Sequence, residues 1–424
     1  MPVTLVVGAQ WGDEGKGRIV DYLAAGADGV ARFGGGANAG HTVRVGDKTY
    51  KLRIVPSGVI AGVTCIIGPG TVVSPAALVK ELTDLEAAGV DTSRVWLSDL
   101  AHLILPYHIE LDRATERARG DVKIGTTGNG IGPAYGDRVA RVGVRAGDLR
   151  DERAWRAALA ARCAALAGTG ISADDGAIAS ELATQAKLLL PHIRDTVELI
   201  NDLLRGGKRI IAEGAQGSML DVGLGTYPFV TSSVTVAGGA GAGLGIGPTR
   251  IDSVVGVVKA YATRVGGGPF PSELDDATGE RLREIGGEIG TVTGRPRRCG
   301  WLDLAALRYA VDINGMTHLA MTKLDVLDSF DRIGVCTSYK SPPEISVPFA
   351  IAQGAPCETT YLQGWKTSIG DARSWEDLPA AARDYVAFVE RHLDIPISYV
   401  SVGPERSQII VRPSAPLRIP ASVR

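Results

Sequence analysis

The sequence predicts an α/β fold: one large domain over residues 1–424, with a central mostly parallel sheet, a P-loop-like phosphate loop at the N-terminus and helical excursions. Three observations carry this. The chain opens on a short apolar run, Val3–Val7, followed by a Gly-rich loop, Gly8–Gly17, and then Arg18–Ala25 with Ile19, Val20, Tyr22 and Leu23 for a buried face. Strand, Gly loop and helix in that order open a nucleotide-binding α/β fold. Further apolar runs also end in loops of Gly, Thr, Asn and Gln. Gly reaches 55 residues with no Gly-X-Y period, which excludes collagen and points to tight turns and loops that approach a ligand closely.

The remaining elements follow from apolar runs and their punctuation. Val30–Phe33 reads as a strand. Pro75–Ala88 reads as a helix, with Pro75 in its first turn and Gly89 at its end. Asp151–Ala167 and Ile178–Leu204 are Ala- and Leu-rich and read as helices. Arg209–Ala212 and Ser253–Val258 read as strands, Asp303–Asn314 as a helix and Leu319–Lys323 as a strand. Trp375–Leu393 reads as an amphipathic helix, followed by strands at Ile397–Ser401 and Gln408–Val411.

Composition narrows the function. Lys plus Arg is 45 and Asp plus Glu is 47, so the net charge is -2. That balance argues against non-specific nucleic-acid binding, which needs an excess of cations. No run of about 18 apolar residues suggests a membrane span. The five Cys are scattered, with no CxxC pair, which predicts no disulfide framework and no zinc site. A reducing cytoplasm is the expected compartment.

Six loops carry residues fit for chemistry. Gly8-Ala9-Gln10-Trp11-Gly12-Asp13-Glu14-Gly15-Lys16-Gly17 resembles a Walker A loop, but Gln10 stands at its first Gly and Gly17 at its hydroxyl position. Backbone N–H groups, a helix start and Lys16 still favour an anion, and Asp13 is a hard-oxygen candidate for Mg²⁺. The loop Gly34–Thr42 holds His41 among residues that expose backbone. Ile124–Pro133 combines Thr hydroxyls with free N–H groups, and Arg138, Arg141 and Arg145 follow; a solvated basic face is the plainer reading of those three. In Glu213-Gly214-Ala215-Gln216-Gly217, the Gln216 amide can both donate to and accept from a purine edge. Thr291-Val292-Thr293-Gly294-Arg295-Pro296-Arg297-Arg298 can clamp carboxylates or phosphates. Thr322-Lys323-Leu324-Asp325 is similar to the NKxD loop in which an Asp reads guanine.

Taken in order, GDEGKG, NAGHT, TTGxGIGPAY, EGAQGxMLD with TYPxVTSS, TGRPRRCGWLD, TKLDVLD and Ser401-Val402-Gly403-Pro404 resemble the adenylosuccinate synthetase family from about residue 3 to about residue 411. The resemblance implies a GTP-dependent ligase that joins IMP and L-aspartate through 6-phosphoryl-IMP, with release of GDP and phosphate. It implies Asp13 as general base and His41 as general acid, with Lys16 stabilising the phosphoryl group. One Mg²⁺ per subunit would sit on Asp13 and the Gly40 carbonyl. IMP would meet Asp13, Glu14, Gly15, Lys16, Asn38, Ala39, Gly40, His41, Thr127, Gln216, Thr231 and Arg295. Arg141 would reach the IMP site of the neighbouring subunit in a homodimer. Aspartate would lie against Thr291, Val292, Thr293, Gly294, Arg295, Pro296 and Arg297. GTP would meet the stretch Gly12, Asp13, Glu14, Gly15, Lys16, Gly17 and Arg18, then Gly40, His41 and Thr42, then Arg297, Lys323, Leu324, Asp325, Ser401, Val402 and Gly403. No nucleic-acid or membrane partner is implied.

Four positions depart from the family's usual pattern: Asn129 where Arg or Lys is general, Val292 where Thr is general, Arg53 where His is common and, mildly, Arg18 where Lys is usual. They bear on substrate preference. The alternatives are a ligase for another purine-like monophosphate and a non-catalytic GTP-binding regulator; the second predicts damage to Asp13 or His41, and both are intact.

Overall fold

The structure is a computed structural model that describes residues 3–45, 48–168, 171, 174–289, 294 and 296–412. Ten strands form the main sheet: β1 (Val3–Gly8), β2 (Gly29–Arg32), β3 (Thr64–Ile67), β4 (Val95–Ser98), β5 (Ile193–Arg194), β6 (Ile210–Glu213), β7 (Ile251–Lys259), β8 (His318–Thr322), β9 (Ile397–Ser401) and β10 (Ile409–Val411). Their order across the sheet is β10-β9-β8-β7-β1-β6-β2-β3-β4-β5. Neighbours run parallel, except for the antiparallel pair β9 and β10.

Strand β1 is buried along its whole length, as a strand covered on both faces must be. Its side chains alternate between two cores. Leu5 and Val7 pack on one face with Phe33, Ile200 and Leu307. Val6 packs on the other with Ile19, Val20 and Leu23 of helix α1 (Lys16–Ala24). Strands β2 to β6 lie to one side of β1 and β7 to β10 to the other. The chain therefore changes direction at β1, and the carboxyl ends of the strands around it form the crevice where such sheets bind ligands.

Most expected elements form within a few residues of their predicted bounds. The helix expected over Ile178–Leu204 is two, Asp175–Leu189 and Thr196–Arg205, with β5 between them. Pro191 lacks an N–H and ends the first, although the apolar period runs on through it. The helix expected from Trp375 begins at Ala380, after Pro379. Residues after the Gly125–Gly130 loop, read as loop and scattered Arg, form the helix Ile131–Ala140.

The cysteines require a correction. Cys336 and Cys357 form a disulfide between the antiparallel strands Arg332–Tyr339 and Cys357–Gln363. A separation of 21 residues hides this pairing from any short cysteine motif. Cys65, Cys163 and Cys299 are buried free thiols. Asp303 lies beside the disulfide, but sulfurs so bonded offer no thiolate to a metal.

Candidate active site

A cavity of about 770 Å³ opens at the carboxyl ends of the central strands. That is ample for more than one small molecule. Loops that follow β1, β2, β6 and β8 line it, together with residues of the Ile124–Gly132 segment, Arg297 and Gly403.

The first loop is tied from within. Glu14 is fully buried, and its Oε1 accepts from the N–H of Gln10 at 3.1 Å and of Gly12 at 2.9 Å. Its Oε2 accepts from Lys16 Nζ at 2.6 Å. The Thr322 hydroxyl, at the end of β8, donates to the Glu14 carbonyl at 2.6 Å. Glu14 is therefore a brace for the loop, with its carboxylate turned inward. Gly15 caps α1 at φ 91°, a conformation that a side chain would strain. A Cβ on Gly17 would lie 2.6 Å from His41 Cβ, so the hydroxyl residue of a Walker loop cannot stand here.

His41 is held by a carboxylate. Its Nδ1 lies 2.5 Å from Glu213 Oε1 and 3.2 Å from Ser57 Oγ. Glu213, at the end of β6, also accepts from the Ser57 N–H at 2.9 Å and the Ser57 hydroxyl at 3.1 Å. Burial pushes the Glu213 carboxyl up, but His41, Arg32 and the Ser57 N–H outweigh it and hold the group below its usual range. This arrangement fixes the ring and presents Nε2 to a ligand. A buried acid at the end of the apolar strand Ile210-Ile211-Ala212 was the signal for Glu213.

One wall carries amide and hydroxyl groups. Asn38 Oδ1 accepts from the Gly36 N–H at 3.1 Å, and its Nδ2 reaches Thr231 Oγ1 at 3.4 Å. Thr127, Ala39, Gly40 and Thr231 line the cavity. Gln216 Nε2 and Trp11 Nε1 are buried donors on the cavity lining with no acceptor among the described residues. Buried donors are rarely left so, and a ligand acceptor would complete them.

The opposite wall is charged. Arg18 donates to Ser401 Oγ and to the Glu405 carbonyl, both at 2.5 Å, and burial lowers its pKa to about 10. Burial raises the carboxyl of Asp325, which lines the cavity. Lys323 Nζ donates to the Gly286 carbonyl at 2.6 Å and to Glu288 Oε1 at 2.7 Å. Arg297 bridges two acids: its Nε lies 2.9 Å from Asp13 Oδ2, and its Nη1 lies 2.6 Å from Glu288 Oε2. Nothing in the sequence singles out Glu288, which acts through partners far along the chain.

The cavity thus gathers Gly12 through Arg18, Asn38 through His41, Thr127, Gln216, Thr231, Arg297, Lys323, Asp325 and Gly403. Leu324 and Val402 are core residues, and Ser401 acts through Arg18 rather than on the lining. Arg141 is exposed and away from the cavity, as is Arg53. Asn129 and the backbone at Gly294 and Pro296 also lie off the lining. Thr291, Val292, Thr293 and Arg295 lie outside the described residues, as does the Thr42 side chain.

A phosphate loop, an acid-held histidine and a Lys-Leu-Asp loop on one cavity define a nucleotide-dependent group-transfer enzyme. The family model for adenylosuccinate synthetase matches residues 5–410. The adenylosuccinate synthetase of Moorella thermoacetica is 52% identical over 422 residues, covering 97% of this chain and 99% of that protein. That of Frankia alni is 48% identical over 424 residues, with the same coverage. Fully ligated adenylosuccinate synthetase from Plasmodium falciparum has a TM-score of 0.92 at 37% identity, over 97% of this chain and 100% of that one. Cyanophage S-2L succinoaminodeoxyadenylate synthetase, bound to dGMP and dATP, shares the fold at a TM-score of 0.64 and 20% identity, over 97% of this chain and 95% of that one. The chain belongs to the adenylosuccinate synthetase family, GTP-dependent ligases that join IMP and L-aspartate in AMP biosynthesis.

Proposed function

We propose that residues 1–424 act as one unit in which this cavity carries out the ligation through 6-phosphoryl-IMP. Asp13 takes the N1 proton of IMP, and the 6-oxygen attacks the γ-phosphorus of GTP. The bond to the β,γ-bridging oxygen breaks and GDP leaves. The aspartate amine then attacks C6 and phosphate departs. His41, oriented by Glu213, stabilises the charge that develops on the 6-oxygen. Lys16 and the N–H groups of the first loop hold the phosphoryl group in transit. Gln216 meets the purine, Asn38, Thr127 and Thr231 hold IMP, and Asp325 reads guanine. Arg297, with Arg295 and the rest of the 291–297 loop, receives the aspartate carboxylates. For Asp13 to act, Arg297 must give up its ion pair with it.

The donors at the first two loops suit Mg²⁺, since the Asp13 carboxylate and the Gly40 carbonyl are hard oxygens on the cavity lining. A bound Mg²⁺ supplies charge stabilisation to the phosphates. Arg141 sits beyond the helix Ile131–Ala140 at φ 64°, outside the cavity and beside exposed Val139 and Val142. That placement supports a homodimer in which Arg141 serves the partner's IMP site. The cytoplasm, where the nucleotide substrates are found, is the compartment we assign.

The observation that carries this reading is the convergence of Asp13, Lys16 and the Glu213-held His41 on one cavity with Asp325. An ultraviolet product assay tests it. GTP, IMP and aspartate should give adenylosuccinate, whereas dGMP in place of IMP, or ATP in place of GTP, should not. Preference for dGMP or equal use of ATP would overturn it. In the same assay, mixed Arg141→Leu and Asp13→Ala subunits should regain activity if the site is shared.

A further inference from the structure

Glu288 has a role that the reaction scheme leaves unused. It is fully buried, in the segment after the helix Ala277–Gly286. Three cations converge on its carboxylate: Lys323 Nζ at 2.7 Å, Arg297 Nη1 at 2.6 Å and Lys259 Nζ at 3.2 Å. The Tyr261 hydroxyl donates to Oε1 at 2.5 Å. The Arg297 N–H also donates to the Glu288 carbonyl at 2.9 Å, so the two residues are joined by backbone and side chain.

One anion would suffice to neutralise one buried lysine. Here it gathers three cations, and only two of them, Lys323 and Arg297, line the cavity. Lys259 is almost fully buried, at 1% exposure, and serves as a fixed post behind the carboxylate. Lys323 belongs to the guanine-reading loop, while Arg297 belongs to the loop assigned to aspartate and touches Asp13.

We propose that Glu288 is a positioning residue for the ligation, a single buried anion that sets the spacing between the guanine-side Lys323 and the aspartate-side Arg297. The inference rests on the site reading above. It requires that loss of the Glu288 charge disturb two subsites at once, although Glu288 is not on the cavity lining. The excess positive charge around it is also what an anionic nucleotide and a dicarboxylate would meet.

The test is Glu288→Gln in the full chain, which keeps the shape and removes the charge. KM for GTP and KM for aspartate should each rise about tenfold, the value of one lost charged hydrogen bond, with a smaller change in kcat and in KM for IMP. A role in folding alone would lower Tm and the active fraction and leave both KM values unchanged, and that result would overturn the proposal. Because Glu288→Gln strands a buried cation, a second variant, Lys259→Met with Glu288→Gln, separates the two. It should recover Tm and keep both KM values high. Recovery of KM with Tm would show that Glu288 only neutralises Lys259, and the proposal would fail. A third readout needs no chemistry: calorimetric binding of GDP should weaken about tenfold in Glu288→Gln. If the unaltered chain made no adenylosuccinate, the function reading would fall, and the GDP titration would still decide for or against Glu288.

Discussion

The two walls of the cavity are built by different physics. The wall that carries His41 hangs on strand ends. His41 is fixed by Glu213 at the end of β6, and the first loop by Glu14 and by Thr322 at the end of β8. The wall that carries Lys323 and Arg297 hangs on one buried carboxylate with three cations, drawn from β7, from the turn after β8 and from the segment before Arg298. The first is a set of paired contacts, one carboxylate on one histidine and hydrogen bonds within and onto one loop. The second is a charge cluster across distant segments. Damage to the first wall should therefore fall on the chemical step, and damage to the second on ligand affinity.

The largest expected effect breaks the first wall at its reacting groups. Asp13→Ala and His41→Asn should each lower turnover by at least about a hundredfold, as loss of a general acid or base does, with the fold retained. Steady-state kcat beside a circular dichroism spectrum checks this. Near-full turnover in either variant would remove that residue from the mechanism. Next in size is Glu213→Gln, which leaves His41 in place and removes the charge that orients it. It should lower kcat by about tenfold or more with little change in KM. Combined with His41→Asn it should add almost nothing, because residues in one network are not additive. Full additivity would show that Glu213 does not act through His41.

A smaller effect marks the second wall. Asp325→Asn should raise KM for GTP by about tenfold and lower kcat less, because base recognition is shared by ground and transition states. Parallel kinetics with ATP check whether the same residue sets the choice of donor. If kcat falls as far as GTP affinity, the contrast between the walls is wrong.

That contrast also explains what could be read from the sequence. The first wall's groups stand in short runs whose residue types are legible, although the pairings that fix them cross the chain, His41 with Glu213 and Thr322 with Glu14 across 308 residues. A β-branched strand followed by Gly15 and Lys16 at a helix start is contiguous in the chain; Glu213 stands at the end of an apolar strand, but nothing there announces its pairing with His41. In the second wall the organising residue itself stands outside any such run: Glu288 meets Lys259 across 29 residues and Lys323 across 35. No period or spacing announces such a meeting. The same holds for the Cys336–Cys357 disulfide, which depends on the register of two strands. The divided helix at Pro191 is a different failure. The breaker was visible, but the apolar period on both sides of it outweighed it. Arg53 is a further case, because as a sequence departure it could have supplied a donor to the site, yet its side chain is exposed and away from the cavity.

The smallest effects are in the pH dependence of stability, where the two walls should mark opposite limbs. Glu213 is held below its usual range by His41, Arg32 and the Ser57 N–H. Its contribution is complete above the ordinary glutamate value of 4.5 and is lost as the pH falls through the folded value. Lys259 is displaced the other way in chemical sense. Burial lowers its pKa from 10.5 to about 8, more than Glu288 raises it. Between those two values the folded chain has released a proton that the unfolded chain still holds, so this group adds stability as the pH rises through the window. Glu213→Gln should flatten the acid limb of a Tm profile, and Lys259→Met the alkaline limb, each by only a few degrees in a chain of this size. The measurement is the difference in Tm between each variant and the parent across the pH range. If the Lys259→Met difference stays level from about pH 8 to 10, the lysine keeps its ordinary pKa and Glu288 neutralises it fully. The second wall would then be a closed ion pair with two spectators, not a strained cluster open to ligands.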